Sequence, residues 1–249
     1  MPGVHDKLEA SLSEIPHQVG TTPTAVLMIS GHWEEPDFTI MSSPGPPMIY
    51  DYSGFPEHTY HIHYSALGSP QIAQRVQALL RSAGFPAPAD DRRGFDHGTY
   101  APLAVIYPRA DVPILQLSIR KDYDPDAHIA VGRALAPLRD EGVLIIGSGL
   151  SYHNLRMLGP QGRVPSQEFD AWLTEAVCES TGEERNRKLR EWSKAPSARL
   201  AHPQEDHLIP LMVAVGAAES EPGVRIYHEN TFFGAITASS FRFGTPLLS

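Results

Sequence analysis

Residues 25–33 read Ala-Val-Leu-Met-Ile-Ser-Gly-His-Trp, an apolar run long enough for one buried strand that ends against a glycine and a histidine. Such an unbroken run suits a strand covered on both faces, as in parallel sheets packed between helices. In open α/β sheets, ligands sit beyond the carboxyl ends of the strands, and His32 falls there. Imidazole both binds metals and moves protons near neutral pH. Residues 143–149 repeat the pattern and lead into Ser151, Tyr152, His153 and Asn154.

The remaining chain alternates helix and strand signals. Asp6 to Ile15 reads as a short amphipathic helix with Leu8, Leu12 and Ile15 on one face. Further strands are expected over Phe38–Met41 (weaker), over Pro113–Ile119, and near Val224–His228 and Ser239–Phe243. Ser69 followed by Pro70, and closed by Gly84, predicts a helix carrying Ile72, Val76, Leu79 and Leu80. Asp124-Pro125 predicts another by the same logic, reaching about Arg139. Ser166 is expected to cap a helix bearing Phe169, Trp172, Leu173 and Val177, and Glu183–Lys194 to form an exposed one. Pro210 fixes a helix start near Asp206 or His207, because proline fits only the first turn. The alternation predicts an α/β fold: a single domain over residues 1–249, with a mostly parallel central sheet and helices on both faces. The aromatic stretch from Ser42 to Gly68 is too long for a mere connection and reads as a functional loop.

Composition narrows the partner. A chain of 249 residues with a formal net charge of −9 lacks the basic footprint of nucleic-acid or anionic-membrane binding. No apolar stretch approaches the roughly 20 residues of a membrane span. A small-molecule partner is expected. The single Cys178 excludes an intrachain disulfide and a cysteine zinc cluster, suits a reducing cytoplasm, and is expected in the core. Twelve histidines steer any metal site toward imidazole and carboxylate donors. Phosphate-loop, nucleophile-elbow, dinucleotide and His-Glu-x-x-His motifs are absent.

Each candidate histidine has an ordinary alternative. His32 and His153 could simply hydrogen-bond backbone at strand ends, and Asn154 could orient a substrate or shape a turn. His97 lies in Gly94-Phe95-Asp96-His97-Gly98, where glycines permit close approach of a ligand; Asp96 could instead pair with Arg92 or Arg93. His207 stands at a helix start, with capping by Asp206 as the plain reading, and His202 could only shape the turn before Pro203. His58, His61 and His63 suit a solvated lid.

Taken in order, these stretches resemble the class III extradiol dioxygenases, in particular the bacterial DOPA 4,5-dioxygenase-like branch. The resemblance rests on Ser30–Glu34, Pro47–Pro56, Gly68-Ser69-Pro70, Gly94–Gly98, Gln116–Ile119, His153-Asn154-Leu155 and His202-Pro203 with Asp206-His207, and spans nearly the whole chain. It implies one divalent metal per chain, Fe(II) or Zn(II), with His32 and His207 as ligands. His153 is implied as a ligand or as the base beside the metal, and His97 as a substrate-facing acid/base. Tyr50 and Phe55 would line the pocket, with Asn154 near the substrate. That family opens with a strand ending in a His-Gly-Gly-Gly-Pro-like turn, whose histidine is a ligand. No such turn precedes Met1-Pro2-Gly3-Val4-His5 here, so the recorded start is expected to lie downstream of it, and His5 is a poor substitute. A missing central strand would leave its neighbours with unpaired backbone groups.

The implied reaction inserts O2 into a small aromatic diol to give a ring-opened semialdehyde. Memo-like binding or signalling proteins of the same superfamily are the alternative. A zinc hydrolase using Glu34 or Glu205 as base is the weakest reading.

Overall fold

The computed structural model describes residues 5–244. In chain order it runs through α1 (Asp6–Ser13), α2 (Ile15–Val19), β1 (Ala25–Glu35), β2 (Ile40–Met41), α3 (Pro70–Ser82), β3 (Ala89–Asp90), α4 (His97–Ile106) and β4 (Ile114–Arg120). There follow α5 (Pro125–Leu135), α6 (Pro137–Asp140), β5 (Val143–Ser148), α7 (Arg163–Cys178) and α8 (Gly182–Arg190). The chain ends with α9 (Ala198–Ala201), α10 (Ile209–Ala217), β6 (Gly223–Phe232) and β7 (Ile236–Phe243).

β1 is the spine. It pairs in parallel with β4 on one side and β5 on the other, within a five-stranded sheet of order β3-β2-β4-β1-β5. Only the β2–β4 pairing, at Ile40 and Leu117, is antiparallel. Alternate β1 residues enter opposite cores: Ala25, Leu27 and Ile29 pack on one face, Val26 and Met28 on the other. Both faces are buried, which is why the sequence of β1 shows no polar alternation. The expected α/β fold with a mostly parallel sheet is therefore observed.

Several elements differ from expectation for local reasons. The Asp124–Arg139 helix breaks where Ala136 meets Pro137, giving α5 and α6. The helix expected to start at Ser166 starts at Arg163; Ser166 lies inside it, its hydroxyl donating to the Arg163 carbonyl and accepting from Thr237 N. α8 is not simply exposed, because Arg185, Asn186 and Leu189 are buried and the Arg185 guanidinium binds the carbonyls of Ala218, Glu219 and Glu221. Those carbonyls follow α10, so a buried cation satisfies its otherwise open end. Cys178 is half-buried at the end of α7 rather than fully in the core. The two C-terminal strands form a separate antiparallel hairpin, packed on α7, instead of joining the main sheet.

Among the described residues, the outer edge of β5 pairs with no strand. A cavity of about 1590 Å³ runs along that edge, with Leu8, Leu12, Ile15, Ile145, Phe241 and His207 among its lining residues. No described helix is long and apolar enough to cross a membrane.

His128 on α5 is fully buried; its Nδ1 donates to the Asp124 carbonyl at 2.7 Å and its Nε2 accepts from Arg120 N at 3.0 Å. Both nitrogens are thus used by the neutral ring, and burial holds its pKa down at about 4. Below about 6.5 the unfolded chain binds a proton that the folded chain refuses. The contribution of His128 is therefore complete above pH 6.5 and is lost as pH falls toward 4, a loss of roughly 3 kcal/mol. Urea midpoints should drop across that window, and His128→Gln, less stable at pH 7, should show a shallower drop.

Candidate active site

The site lies beyond the carboxyl ends of β1 and β5 and begins with an irregularity in β1. Ser30 pairs with Ser118 and Glu34 with Ile119, so Gly31, His32 and Trp33 have no counterparts on β4. The strand does not stop at Gly31 as expected; it bulges, and the bulge re-aims His32. A buried network fixes it there. Asp96 accepts from Ser30 Oγ (2.8 Å), Thr99 N (3.1 Å), Gln116 Nε2 (2.7 Å) and Arg93 Nη2 (2.6 Å). Ser30 Oγ in turn accepts from His32 N at 3.1 Å, and the Arg93 guanidinium lies over Trp33. The expected Asp96–Arg93 pair is present, but as one arm of a wider junction.

Asp96 also caps α4 through its bond from Thr99 N. Pro102 lies inside that helix and cannot donate to the Gly98 carbonyl one turn back. Ser148 Oγ, at the end of β5, donates to that carbonyl at 2.5 Å. The same bond ties α4 to β5. Gly98 has no alternative here, since a Cβ would lie 2.6 Å from Ser30 Oγ and 2.8 Å from His32 Cδ2.

Four candidate histidines meet in this space. The ring centroids of His32 and His97 are 3.9 Å apart, those of His32 and His207 4.8 Å, and His153 stacks on His207 at 3.4 Å. His207 sits in the turn just before α10, which starts at Ile209, two residues later than expected, and the expected capping by Asp206 is not observed. Gly149 lets β5 approach it, because a Cβ there would fall 2.1 Å from the His207 carbonyl oxygen. The His153 loop is held by its own N–H to Ala201 O, by His202 Nε2 to Ser151 O, and by Ser239 N to Ser151 Oγ. His202 is fully buried against Phe169 and Trp192, so it is scaffold. Asn154 donates to Leu200 O and accepts from Arg156 N, which turns its amide into the fold beneath His153.

Two carboxylates that sequence reasoning missed complete the site. Asp51 bonds His97 and lies 3.3 Å from His32 Nδ1, and Asp206 lies 3.9 Å from His153 Nδ1. Asp51 stood inside the Pro47–Pro56 stretch and Asp206 beside His207, but no local pattern marks a carboxylate that acts across the fold. Tyr52, in the Tyr50–Pro56 loop expected to form part of the pocket wall, has its ring 5.5 Å from that of His97 and 5.2 Å from Phe55, and its hydroxyl accepts from Tyr100. Tyr50 is half-buried beside it, whereas Phe55 is 59% exposed at the loop tip. His58, His61 and His63 are exposed, and His5 packs on Phe232 and Phe233 of the hairpin, away from the centre.

Burial, reinforced by His153 and His32, pushes His207 down to about 2. Burial and then His97 lower His32 against the pull of Asp51, and burial lowers His153 against that of Asp206. His32, His153 and His207 thus favour the neutral imidazole, the form that donates lone pairs to a cation. Both ring nitrogens of His207 and one oxygen of Asp206 are buried without a hydrogen-bond partner. Buried polar atoms are normally paired, and two groups, His32/Asp51/His97 and His153/Asp206/His207, have donors close enough to share an ion.

A histidine-rich centre at the carboxyl edge of an α/β sheet defines the class of protein. Residues 4–244 match the family described as the catalytic LigB subunit of aromatic ring-opening dioxygenase, and the chain belongs to that family. It is similar to 4,5-DOPA dioxygenase extradiol of Beta vulgaris, 41% identical over 225 residues covering 89% of this chain and 83% of that protein. The Escherichia coli K12 protein of the same name is 33% identical over 226 residues, with the same two coverages. Dioxygenase tasH of Hapsidospora irregularis is 37% identical over 222 residues, 82% of this chain and 67% of that one. Among solved structures, the uncharacterized protein JW3007 from E. coli K12 superposes with a TM-score of 0.79 at 29% identity, covering 95% of this chain and 92% of that chain. The resemblance to class III extradiol dioxygenases is thereby established.

Removing the Asp96 carboxylate should strand Arg93, Gln116 and Ser30 together. Asp96→Ala is expected to lower unfolding free energy by about 3 kcal/mol or more, read by urea denaturation. Gly98→Ala should displace the His32 ring and loosen the Ser30 contact, read as shifted His32 ring signals by NMR and a lower urea midpoint.

Proposed function

We propose that this protein is a metal-dependent extradiol dioxygenase that opens a catechol-type ring, with DOPA as a candidate substrate, to a semialdehyde. His32, His153 and His207 would hold one Fe(II) or Zn(II) per chain. The observation that carries the reading is His207: a buried ring with two unpartnered nitrogens, between His32 and His153. The donor set of neutral imidazoles and carboxylate fits a divalent ion of this kind.

A bound metal of this type supplies open positions for the diol and O2 and lowers the pKa of a coordinated hydroxyl. Both oxygen atoms enter the product, the ring bond beside a hydroxylated carbon breaks, and no external reductant is consumed. The chain's own contribution is proton handling and enclosure. Catechol hydroxyls ionise above neutrality, so a positioned base assists at pH 7. His97 is suited to that role: its Nδ1 is bonded to Asp51 at 2.8 Å, which leaves Nε2 free to accept. His153 is the second candidate, as ligand or base. Tyr50, Tyr52 and Phe55 offer ring faces on the same side as His97, a setting for a flat aromatic substrate. Asn154 supports the turn that presents His153. A net negative, small-molecule enzyme without nucleic-acid partners, working in the cytoplasm, fits the composition.

Fe(II)-loaded protein incubated in air with DOPA, catechol or protocatechuate should develop semialdehyde absorbance and contain about one metal per chain. His97→Ala should keep the metal and lower turnover by 10²–10⁴-fold, the range for a lost acid/base group. His207→Ala should lose the metal itself, read by elemental analysis. Retained metal in that variant, or absent ring opening by metal-loaded parent protein, contradicts the proposal; a parent that takes up no metal favours a Memo-like binding role.

A further inference from the structure

Asp51 touches two of the site histidines at once. Its Oδ1 accepts from His97 N at 3.0 Å and from His97 Nδ1 at 2.8 Å, while its Oδ2 lies 3.3 Å from Nδ1 of His32. The loop that carries it is stitched to the segment before α4: Phe95 N donates to Pro47 O and Ile49 N to Phe95 O, each at 2.8 Å. Asp51 is thus fixed two residues beyond one end of that ladder and His97 two residues beyond the other. The backbone N–H of His97 already uses Oδ1 as an acceptor, and the ring Nδ1 meets the same oxygen.

An ionised carboxylate only accepts hydrogen bonds, so a ring nitrogen bonded to it carries the proton. We propose that Asp51 is a positioning residue that sets His97, and with it His32, in the Nδ1–H tautomer, leaving the Nε2 lone pairs for chemistry. On His97 that lone pair accepts a substrate proton; on His32 it is the metal donor. This rests on reading the centre as that of an extradiol dioxygenase. One carboxylate then orients both a ligand and a base, so the two roles are coupled through a single side chain. A carboxylate behind a metal-bound imidazole is a general means of fixing its ring and raising its basicity. The competing role, Asp51 as a metal ligand together with His32 and His97, would require it to give up the two N–H groups that already occupy Oδ1.

The decisive measurement is the tautomer itself. Long-range proton–nitrogen correlation spectra of the full chain with ¹⁵N-labelled histidine, zinc-loaded and again after chelation, are assigned with His97→Gln and His32→Gln. The expected parent spectrum shows both rings as Nδ1–H in both states. In Asp51→Asn the amide oxygen keeps the place that accepts from His97 N and Nδ1, so its NH2 faces Nδ1 of His32, and His32 should move to the Nε2–H form while circular dichroism stays unchanged. Turnover should then fall with KM little altered, and zinc affinity should weaken 10–100-fold, the range for lost support of a ligand. Asp51→Glu, which keeps the charge, should restore the Nδ1–H signature in part. A parent His97 in the Nε2–H form overturns the proposal, and so does an Asp51→Asn protein with unchanged tautomers. Loss of metal from that variant without a tautomer change assigns Asp51 as a ligand instead. Because the spectra need no turnover, an inactive protein with the expected tautomers sinks the dioxygenase reading and leaves the Asp51 assignment standing.

Discussion

A single buried carboxylate, Asp96, holds the architecture of the site together. It is fully excluded from solvent and surrounded by donors from β1, β4, α4 and the loop before α4. A buried carboxylate left without partners costs several kcal/mol, so these elements must meet around it or the fold loses that energy. Ser30 relays the arrangement to the backbone of His32, and the cap relays it to His97 at the first turn of α4. Two histidines 65 positions apart are thereby set by one charge.

Around that junction the backbone approaches more closely than side chains allow. Gly98 sits against His32 and Gly149 against the backbone of His207, so the imidazoles converge because the residues beside them are absent in bulk. The compact centre follows, with its consequence for charge: burial favours the neutral form of His32, His153 and His207, the form that offers lone pairs. The separate C-terminal hairpin contributes from outside the sheet, since Ser239 N braces Ser151 and so the turn that carries His153.

Much of this was legible in the chain. The apolar runs of β1, β4 and β5 and the Ser69-Pro70 and Asp124-Pro125 helix starts appear as read, because strand burial and proline-assisted caps are local properties. His32, His97, His153 and His207 were visible because strand ends and glycine-flanked turns mark where ligands are bound. α4 was not legible: Pro102 argues against a helix, and the bond that rescues it comes from Ser148, in a strand 46 residues later. Nor were the roles of Asp51 and Asp206, which lie in loops whose sequence carries no period.

By itself, then, the sequence determined an α/β sheet with both faces covered and histidines at its carboxyl edge, since burial pattern and turn chemistry act over a few residues. Only the tertiary structure decided which carboxylate faces which imidazole, where β1 bulges, and that the last two strands stand apart from the sheet. Those outcomes depend on donors and acceptors tens of residues away, and a buried polar group finds its partner in space rather than along the chain.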